Sequence, residues 1–342
     1  MFHIGLDLGS RKSHFCICRS NGEIVEEGKV ATRGLRTFFI KMAELGEGRV
    51  VLESCAEAFL VASWAKDAPL DVRIVPSIFT RSLGIGEHGV KTDKRDARAL
   101  AQASCRVELR SIHIRSTRAR EILSATTARR TLVNSRTMIV NSIRGWFRTQ
   151  VIQLPSGTVE TFCDRARAAV DGNVPAFISC QLAVITSLNG QIKELTSYLE
   201  SEAESDPVCQ LLMTCPGVGP LTALEFRAVI DEPDRFVHGD KVGSYVGLTP
   251  GEDSSSFRKR RTSITKAGSA ELRMLLCQAA WCYWRNHPDT PLGIWVRGVS
   301  DRRGKKVAMV ALMRKLAVIM WAMWRHNQPY SAMQAGEETA AA

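Results

Sequence analysis

Hydrophobic and polar positions follow two different periods in the first third of the chain. A period of two, typical of strands, covers three short segments separated by turns at Gly9-Ser10 and at Asn21-Gly22. Apolar residues then recur at helical spacing, with short apolar runs between them. The pattern predicts strands at residues 3–8, 14–19, 23–32, 49–52 and 71–75, and helices at residues 34–45, 55–66 and 92–101.

Longer helical patterns cover the rest of the chain. An arginine-rich helix is predicted from about residue 114 to 150, followed by a run with one apolar stripe over residues 182–199. Two such helices would pack as an antiparallel hairpin or as an oligomer seam, and their irregular heptads leave both open. Residues 207–330 predict a further compact unit that ends in helices at 270–287 and 305–326.

The order of elements near the N-terminus is that of an RNase H-like α/β fold. We therefore predict an RNase H-like α/β domain at residues 1–108 and a long helical coiled-coil or oligomerisation segment at residues 109–206. A mainly α-helical C-terminal domain is predicted at residues 207–330, with a flexible tail at residues 331–342.

Composition and charge narrow the class of protein. Hydrophobic residues make up 45% of the chain and charged residues 24%, which excludes a disordered or fibrous protein. The 46 lysines and arginines against 35 acidic residues give a net charge of +11, which attracts polyanions. Nucleic acid is the first partner to consider, although excess arginine can also serve only to solubilise a surface.

Cysteines and apolar runs predict a cytoplasmic location. The ten cysteines form no CxxC pair and no zinc-type spacing with histidine, so we expect reduced core residues and no zinc site. The sequence after Met1 lacks the pattern of a signal peptide. The longest apolar run, residues 307–324, is interrupted by Arg314 and Lys315, so no membrane span is predicted.

Four carboxylates lie at positions that an RNase H-like fold would bring close together. Asp7 and Glu53 end predicted strands that are neighbours in an RNase H-like sheet, and Asp93 and Asp96 share one helix face. Such a group of oxygen donors is typical of a two-metal site for phosphodiester chemistry. Taken singly, each acid could instead cap a turn or helix or pair with a neighbouring cation. His14 has no partner at ligand spacing.

Two segments of the C-terminal part are suited to nucleic acid. The turn with Gly217 and Gly219 resembles the hairpin of a helix-hairpin-helix motif, or it is an ordinary connector. The basic run is a candidate for phosphate contacts, although it could be a solvated charge run; it consists of Arg258, Lys259, Arg260 and Arg261. The serines before it form a polar loop or supply a nucleophile activated by cations and metal; they are Ser254, Ser255 and Ser256.

Together these motifs closely resemble the insertion sequence 110 family of transposases, which are DEDD-type recombinases related to Piv-type DNA invertases. The resemblance runs in order from residue 3 to about residue 280. The motifs that carry it are Gly5-Leu6-Asp7, Leu52-Glu53-Ser54, the Thr-Asp-x-x-Asp-Ala block at residues 92–97, the Pro-Gly-Val-Gly-Pro turn at 216–220, Gly-Leu-Thr-Pro at 247–250 and the Ile-Thr-Lys-x-Gly block at 264–268.

The resemblance implies a RuvC-like N-terminal domain whose carboxylate tetrad binds Mg²⁺, with Mn²⁺ as a possible substitute. It also implies a helical coiled-coil region and a C-terminal transposase domain with a nucleophilic serine. The family offset of nine residues before Ile264 selects Ser255, but Ser256 stands where glycine is common, so the register among the three serines stays open. The basic run and Lys266 are expected to contact nucleic acid.

The family resemblance also implies partners. It predicts a noncoding bridge RNA that pairs with target and donor DNA, a tetramer made of two dimers, and a cytoplasmic protein that joins the nucleoid when bound to DNA. Two alternatives stay open. A Holliday-junction endonuclease would use the same carboxylates with activated water and no serine, and a non-catalytic nucleic-acid-binding protein would need neither.

Overall fold

The structure is a computed structural model of the 342-residue chain and describes residues 1–80, 92–252 and 261–331. The chain divides into two compact units, Met1–Arg115 and Ser116–Ala342. The helices of the predicted middle segment thus belong to the same unit as the C-terminal helices. The division into an RNase H-like domain, a coiled coil, a transposase domain and a tail stays a prediction.

A mixed five-stranded sheet forms the centre of the first unit. Its strands are β1 (Phe2–Asp7), β2 (Lys12–Arg19), β3 (Ile24–Ala31), β4 (Gly48–Glu53) and β5 (Asp71–Val75). The strand order is β3-β2-β1-β4-β5, with β2 antiparallel to both β1 and β3, and with β4 parallel to both β1 and β5. The predicted α/β architecture is confirmed, and this strand order is the one expected of an RNase H-like sheet.

Helices cover both faces of this sheet. They are α1 (Leu35–Glu44), α2 (Ala58–Asp67), α3 (Ser77–Thr80) and α4 (Asp93–Arg106). Leu6 and Leu52 point toward α1 and α2 and lie in one apolar cluster, whereas Val51 and Val75 pack against Leu100 of α4 on the other face. Because successive side chains of a strand alternate between faces, a strand covered on both sides must be apolar throughout.

The second unit is mainly helical. Its elements are α5 (Thr117–Thr149), α6 (Phe162–Ala168), α7 (Ala176–Ser205), α8 (Pro207–Met213), α9 (Pro220–Ile230), α10 (Gly239–Tyr245), α11 (Ala270–Asn286), α12 (Pro291–Arg303), α13 (Lys305–His326), and the strands β6 (Pro250–Glu252) and β7 (Arg261–Ile264). The sequence pattern predicted α5, α11 and α13 closely, and of α7 it predicted the central part, residues 182–199. It did not predict α12 or the antiparallel β6–β7 hairpin, since these strands are short and polar.

The two longest helices pair with each other in antiparallel orientation. The Arg129 Nε donates to Thr196 Oγ1 at 2.7 Å, and Arg136 Nη1 donates to Asn189 Oδ1 at 2.8 Å. Residue numbers therefore rise along α5 as they fall along α7. Of the two arrangements that the sequence left open, the structure contains the intramolecular hairpin.

Helix α13 is the one described helix that is long and apolar enough to cross a membrane, and 56% of its most apolar window is buried inside the protein. Leu312, Leu316 and Met320 lie in the main core of the second unit, where they pack with residues of α8 to α12. The apolar sequence of α13 is therefore accounted for by burial in this core.

Candidate functional site

Asp7 and Glu53 end adjacent parallel strands. Leu6 pairs with Leu52, so the next residues, Asp7 and Glu53, lie side by side at the carboxyl end of the sheet. Glu53 lies two residues after Val51, which packs on the α4 face, and alternation places Glu53 on that face as well. Both carboxylates are half-buried. The neighbouring strand ends that the sequence predicted are thus formed.

Helix α4 runs antiparallel to β1, close against it. The His3 Nδ1 lies 2.7 Å from the Ser104 Oγ, near the end of the helix. Further along β1, a Cβ on Gly5 would overlap the carbonyl oxygen of Ala97. As β1 continues to Asp7, α4 therefore returns toward its first turn, which brings the start of the helix to the same end of the sheet.

The first turn of α4 carries the other two acids. Asp96 is only 3% exposed, whereas the Asp93 side chain is 68% exposed. Both share the stripe of Ala97 and Leu100 that faces the sheet, because their spacings are three and four residues. Thr92 caps the helix by accepting from the Arg95 N–H, so capping is not the role of Asp93.

His14 was missed by the sequence analysis as a neighbour of these acids. It pairs with Asp7 across β1 and β2, and its Nε2 lies 3.7 Å from Asp93 Oδ2. The contact links Asp93 to the strand opposite Asp7. The short turn at Gly9-Ser10 could have predicted this neighbour. A four-residue connection between β1 and β2 sets the register that pairs His14 with Asp7.

The four acids have the chemistry to hold divalent metal ions. Carboxylate oxygens are hard donors suited to Mg²⁺ or Mn²⁺, and clustered negative charges favour bound cations. Among the described residues, no three of these four acids bring one oxygen each within 4.8 Å of one another.

An ion pair behind the site fixes α4 to the edge of the sheet. The Glu27 carboxylate on β3 accepts two hydrogen bonds from the Arg98 guanidinium, at 2.6 and 2.7 Å, and Lys94 lies 3.2 Å away. The bonds from Arg98, aided by Lys94, lower the pKa of Glu27 to about 2 against desolvation by burial. Glu27 is thus a partner of Lys94 that lies 67 residues earlier in the chain.

We expect Glu27→Gln to destabilise the protein by about 1 kcal/mol at pH 7, since the partly exposed Arg98 is screened by water. Because folding lowers the pKa of Glu27, its contribution is complete above about pH 4.5 and disappears as the pH falls to about 2. Urea unfolding at pH 7 and at pH 3 measures the change. The exposed neighbour Glu26→Gln is the matched control, and an equal effect of both variants would refute the anchoring role.

In the second unit, two sequence motifs pack directly against each other. A Cβ on Gly247, at φ 73°, would overlap the backbone of Ala267, and a Cβ on Gly268, at φ 72°, would overlap the carbonyl oxygen of Tyr245. Arg273 of α11 donates to the carbonyl oxygens of Val246, Ala267 and Gly268. These contacts hold the base of the β6–β7 hairpin.

In the sequence, the predicted nucleophile and most of the basic run lie between β6 and β7. Ser254, Ser255 and Ser256, with Arg258, Lys259 and Arg260, lie outside the described residues, as does the side chain of Arg261. Lys266 is exposed just after β7, with φ 55°. The structure therefore describes the base of this hairpin, and the roles of its serines and cations stay predictions.

The turn before α9 contains two glycines, Gly217 and Gly219, that the sequence predicted to contact nucleic acid. Packing explains the glycine at one of these two positions. Gly217 has φ 85°, and a Cβ there would lie 2.6 Å from the carbonyl oxygen of Ala279 in α11. This close approach alone accounts for glycine at the position. Gly219 immediately precedes α9, and a Cβ there would meet nothing within 4 Å. Of the two predicted nucleic-acid contacts, Gly219 is thus the one with open space beside it.

Comparison with known proteins matches both parts of the chain. Residues 4–150 match a DEDD transposase model of the IS110 group, and residues 209–291 match the model described as "Transposase IS116/IS110/IS902 family". A DEDD domain implies the use of a divalent metal ion. The first match contains all four acids, and the second contains the β6–β7 hairpin.

Similar proteins from several bacteria agree with these matches. The transposase for insertion sequence element IS1111A of Coxiella burnetii is 28% identical over 70% of this chain and 68% of its own. A probable family 20 transposase of Pseudomonas aeruginosa is 26% identical over 96% of this chain and 98% of its own. The pilin gene-inverting protein of Moraxella lacunata is 30% identical over 43% of this chain and 45% of its own.

Transposases of this kind are enzymes that cut and join DNA. The resemblance predicted from the motifs is therefore confirmed by two family models and by relatives that extend over almost the whole chain. The chain belongs to the IS110/IS116 family of transposases.

Proposed function

We propose that this protein is the transposase of an insertion sequence, and that it cuts and rejoins DNA strands with the four acids of its first unit. The observation that carries the proposal is the antiparallel course of α4 along β1. It brings Asp93 and Asp96 to the sheet end where Asp7 and Glu53 emerge together. A phosphodiester with its negative charge could approach such a group only if cations were bound there.

Mg²⁺ is the proposed metal, with Mn²⁺ as a substitute. Asp7, Glu53 and Asp96 would hold it, and Asp93, which is more exposed and adjacent to His14, would complete the set. When bound, ions of this type polarise a scissile phosphate and stabilise the charge that develops on its oxygens. The anchor between Glu27 and Arg98 would keep the two helical acids at the correct distance from the strands.

Ser255 is the proposed nucleophile. Its Oγ would attack the scissile phosphorus while its proton passes to a base, and the P–O bond to the leaving strand would break as that strand takes up a proton. One phosphodiester is exchanged for another, so the strand can be rejoined by the reverse attack without an external energy source. Cations of the adjacent basic run would stabilise the charged phosphate.

The proposed partners are target and donor DNA and a noncoding bridge RNA that pairs with both. The net charge of +11 supports polyanion binding in general. The RNA and the tetramer of two dimers are supported by the family resemblance alone. The acids belong to the first unit, and Ser255 belongs to the second.

We expect Ser255→Ala to eliminate a covalent protein–DNA adduct and strand exchange, because only the attacking oxygen is removed. The measurement is peptide mapping of DNA trapped on the wild-type protein with Mg²⁺, paired DNA sites and the cognate RNA. Ser263→Ala, in β7, is the control and should form the adduct normally. Phosphate on Ser254 or Ser256 would correct the register.

The same experiment separates the alternatives. Strand cleavage without an adduct at any serine would favour an endonuclease that uses metal-activated water. Nucleic-acid binding without cleavage under any of these conditions would favour a non-catalytic binding protein. Both results would contradict the serine mechanism, and the second would also contradict the role of the acids.

A further inference from the structure

A group of aromatic and cationic side chains on α11, α12 and α13 has no part in the function proposed so far. Trp281 and Trp284 lie one turn apart on α11, and both are half-buried. The Lys305 Nζ is 5.1 Å from the ring centroid of Trp281 and 5.5 Å from that of Trp284. Arg297 stacks over Trp284 at 4.5 Å. Both indole rings are thus held in defined positions beside cations.

Further cations surround these rings. Gly304 alone connects α12 to α13, with φ 84° and ψ 155°, a conformation that favours glycine. Arg302 and Arg303 end one helix, and Lys305 and Lys306 begin the next; all four are exposed. We define the tryptophan–cation surface as Trp281, Trp284, Arg285, Arg297, Arg302, Arg303, Lys305 and Lys306.

The cations of this surface form no ion pairs within the part of the chain that the structure describes. None of its six cations lies within 4 Å of a carboxylate of the described residues, where other arginines form ion pairs. The first turn of α13 contains no acid. Lys305 and Lys306 stand at the positive end of that helix dipole, where cations destabilise a helix. The contacts with the two indole rings account in part for Lys305. The helix dipole favours neither lysine at this end of α13, whereas binding to a polyanion would account for both.

We propose that the tryptophan–cation surface binds an unpaired segment of a DNA strand. Cations contact phosphates without regard to sequence, and indole rings provide faces on which bases stack. In a duplex both faces of each base are already stacked, so these rings favour a single strand. The proposal uses only the action on DNA that the family shares. It does not depend on the carboxylate site or on Ser255.

The test is the binding of a fluorescein-labelled oligothymidylate of about 20 nucleotides to the full chain, by anisotropy, at several salt concentrations in EDTA. For Lys305→Gln/Lys306→Gln, we expect the slope of log K against log salt to fall by about 1.4, or about 0.7 for each lost contact. Trp284→Ala should weaken binding about tenfold and reduce the quenching of tryptophan fluorescence by DNA.

The matched control is Lys193→Gln/Lys241→Gln, which removes two exposed lysines of the same unit and should leave the slope unchanged. An unchanged slope in the Lys305/Lys306 variant, or an equal change in the control, would overturn the proposal. So would tighter binding of an oligouridylate of equal length or of a DNA duplex. If Trp284→Ala does not fold, the two exposed lysines alone decide the result. Because metal is absent, binding can succeed even if the proposed cleavage mechanism fails.

Discussion

Gly5→Ala is expected to push α4 away from the sheet and to cause a large loss of stability in the first unit. The new Cβ would overlap the carbonyl oxygen of Ala97 and lie 2.5 Å from the Ala101 nitrogen. Both are backbone atoms of a helix and cannot rotate aside. Overpacking of this kind costs about 2–3 kcal/mol when the neighbours are forced to shift.

The same shift should reduce cleavage more than the loss of stability explains. Asp93 and Asp96 begin the helix that would move, while Asp7 and Glu53 stay on the strands. The measurements are urea unfolding and strand cleavage at a temperature where the variant remains folded.

Gly34→Ala is the matched control for Gly5, because its new Cβ would meet side chains only at 3.9 and 4.0 Å. It should unfold and cleave like the wild type. If Gly5→Ala retained both wild-type stability and wild-type cleavage, the close approach of α4 to β1 would be refuted.

Asp7→Asn and Asp96→Asn are each expected to lower strand cleavage by about 1000-fold or more, since each removes a charge that a bound cation requires. Asparagine has nearly the same volume as aspartate, so folding should change little even at Asp96, which is 3% exposed. Cleavage rates and Mn²⁺ binding by titration calorimetry are measured in parallel, and both should fall.

Asp67→Asn provides the control for these substitutions, because Asp67 is an exposed acid of the same unit at the end of α2. It should leave metal binding and cleavage unchanged. Full cleavage by both Asp7→Asn and Asp96→Asn with metal present would refute the metal site. Loss of cleavage together with a large loss of stability would instead indicate a structural role.

The positions of the strands, and of the acids at the strand ends, could be predicted from the sequence because both depend on short segments of the chain. The strands β1 and β4 are short, mainly apolar runs bounded by turn residues, and Asp7 and Glu53 interrupt that apolar pattern at its end. The three-residue spacing of Asp93 and Asp96 is equally local, because it depends only on the helical repeat. Such features need no knowledge of distant contacts.

The contacts that bring these elements together depend on residues far apart in the chain. His3 meets Ser104, Glu27 binds Arg98, and His14 lies beside Asp93, and no local pattern marks any of these pairs. Similarly, the heptads of α5 and α7 allowed a hairpin or an oligomer seam, and only side-chain pairs such as Arg129 with Thr196 show that the hairpin forms.

The sequence by itself determined the α/β pattern of the first unit, the basic character of the protein, the family and the candidate acids, since periodicity, charge and motif spacing are properties of short segments. Tertiary structure alone decided how closely α4 approaches β1, what Gly217 packs against and which cations lie over the rings of Trp281 and Trp284. These are properties of packing, in which each residue depends on partners that the chain order does not reveal.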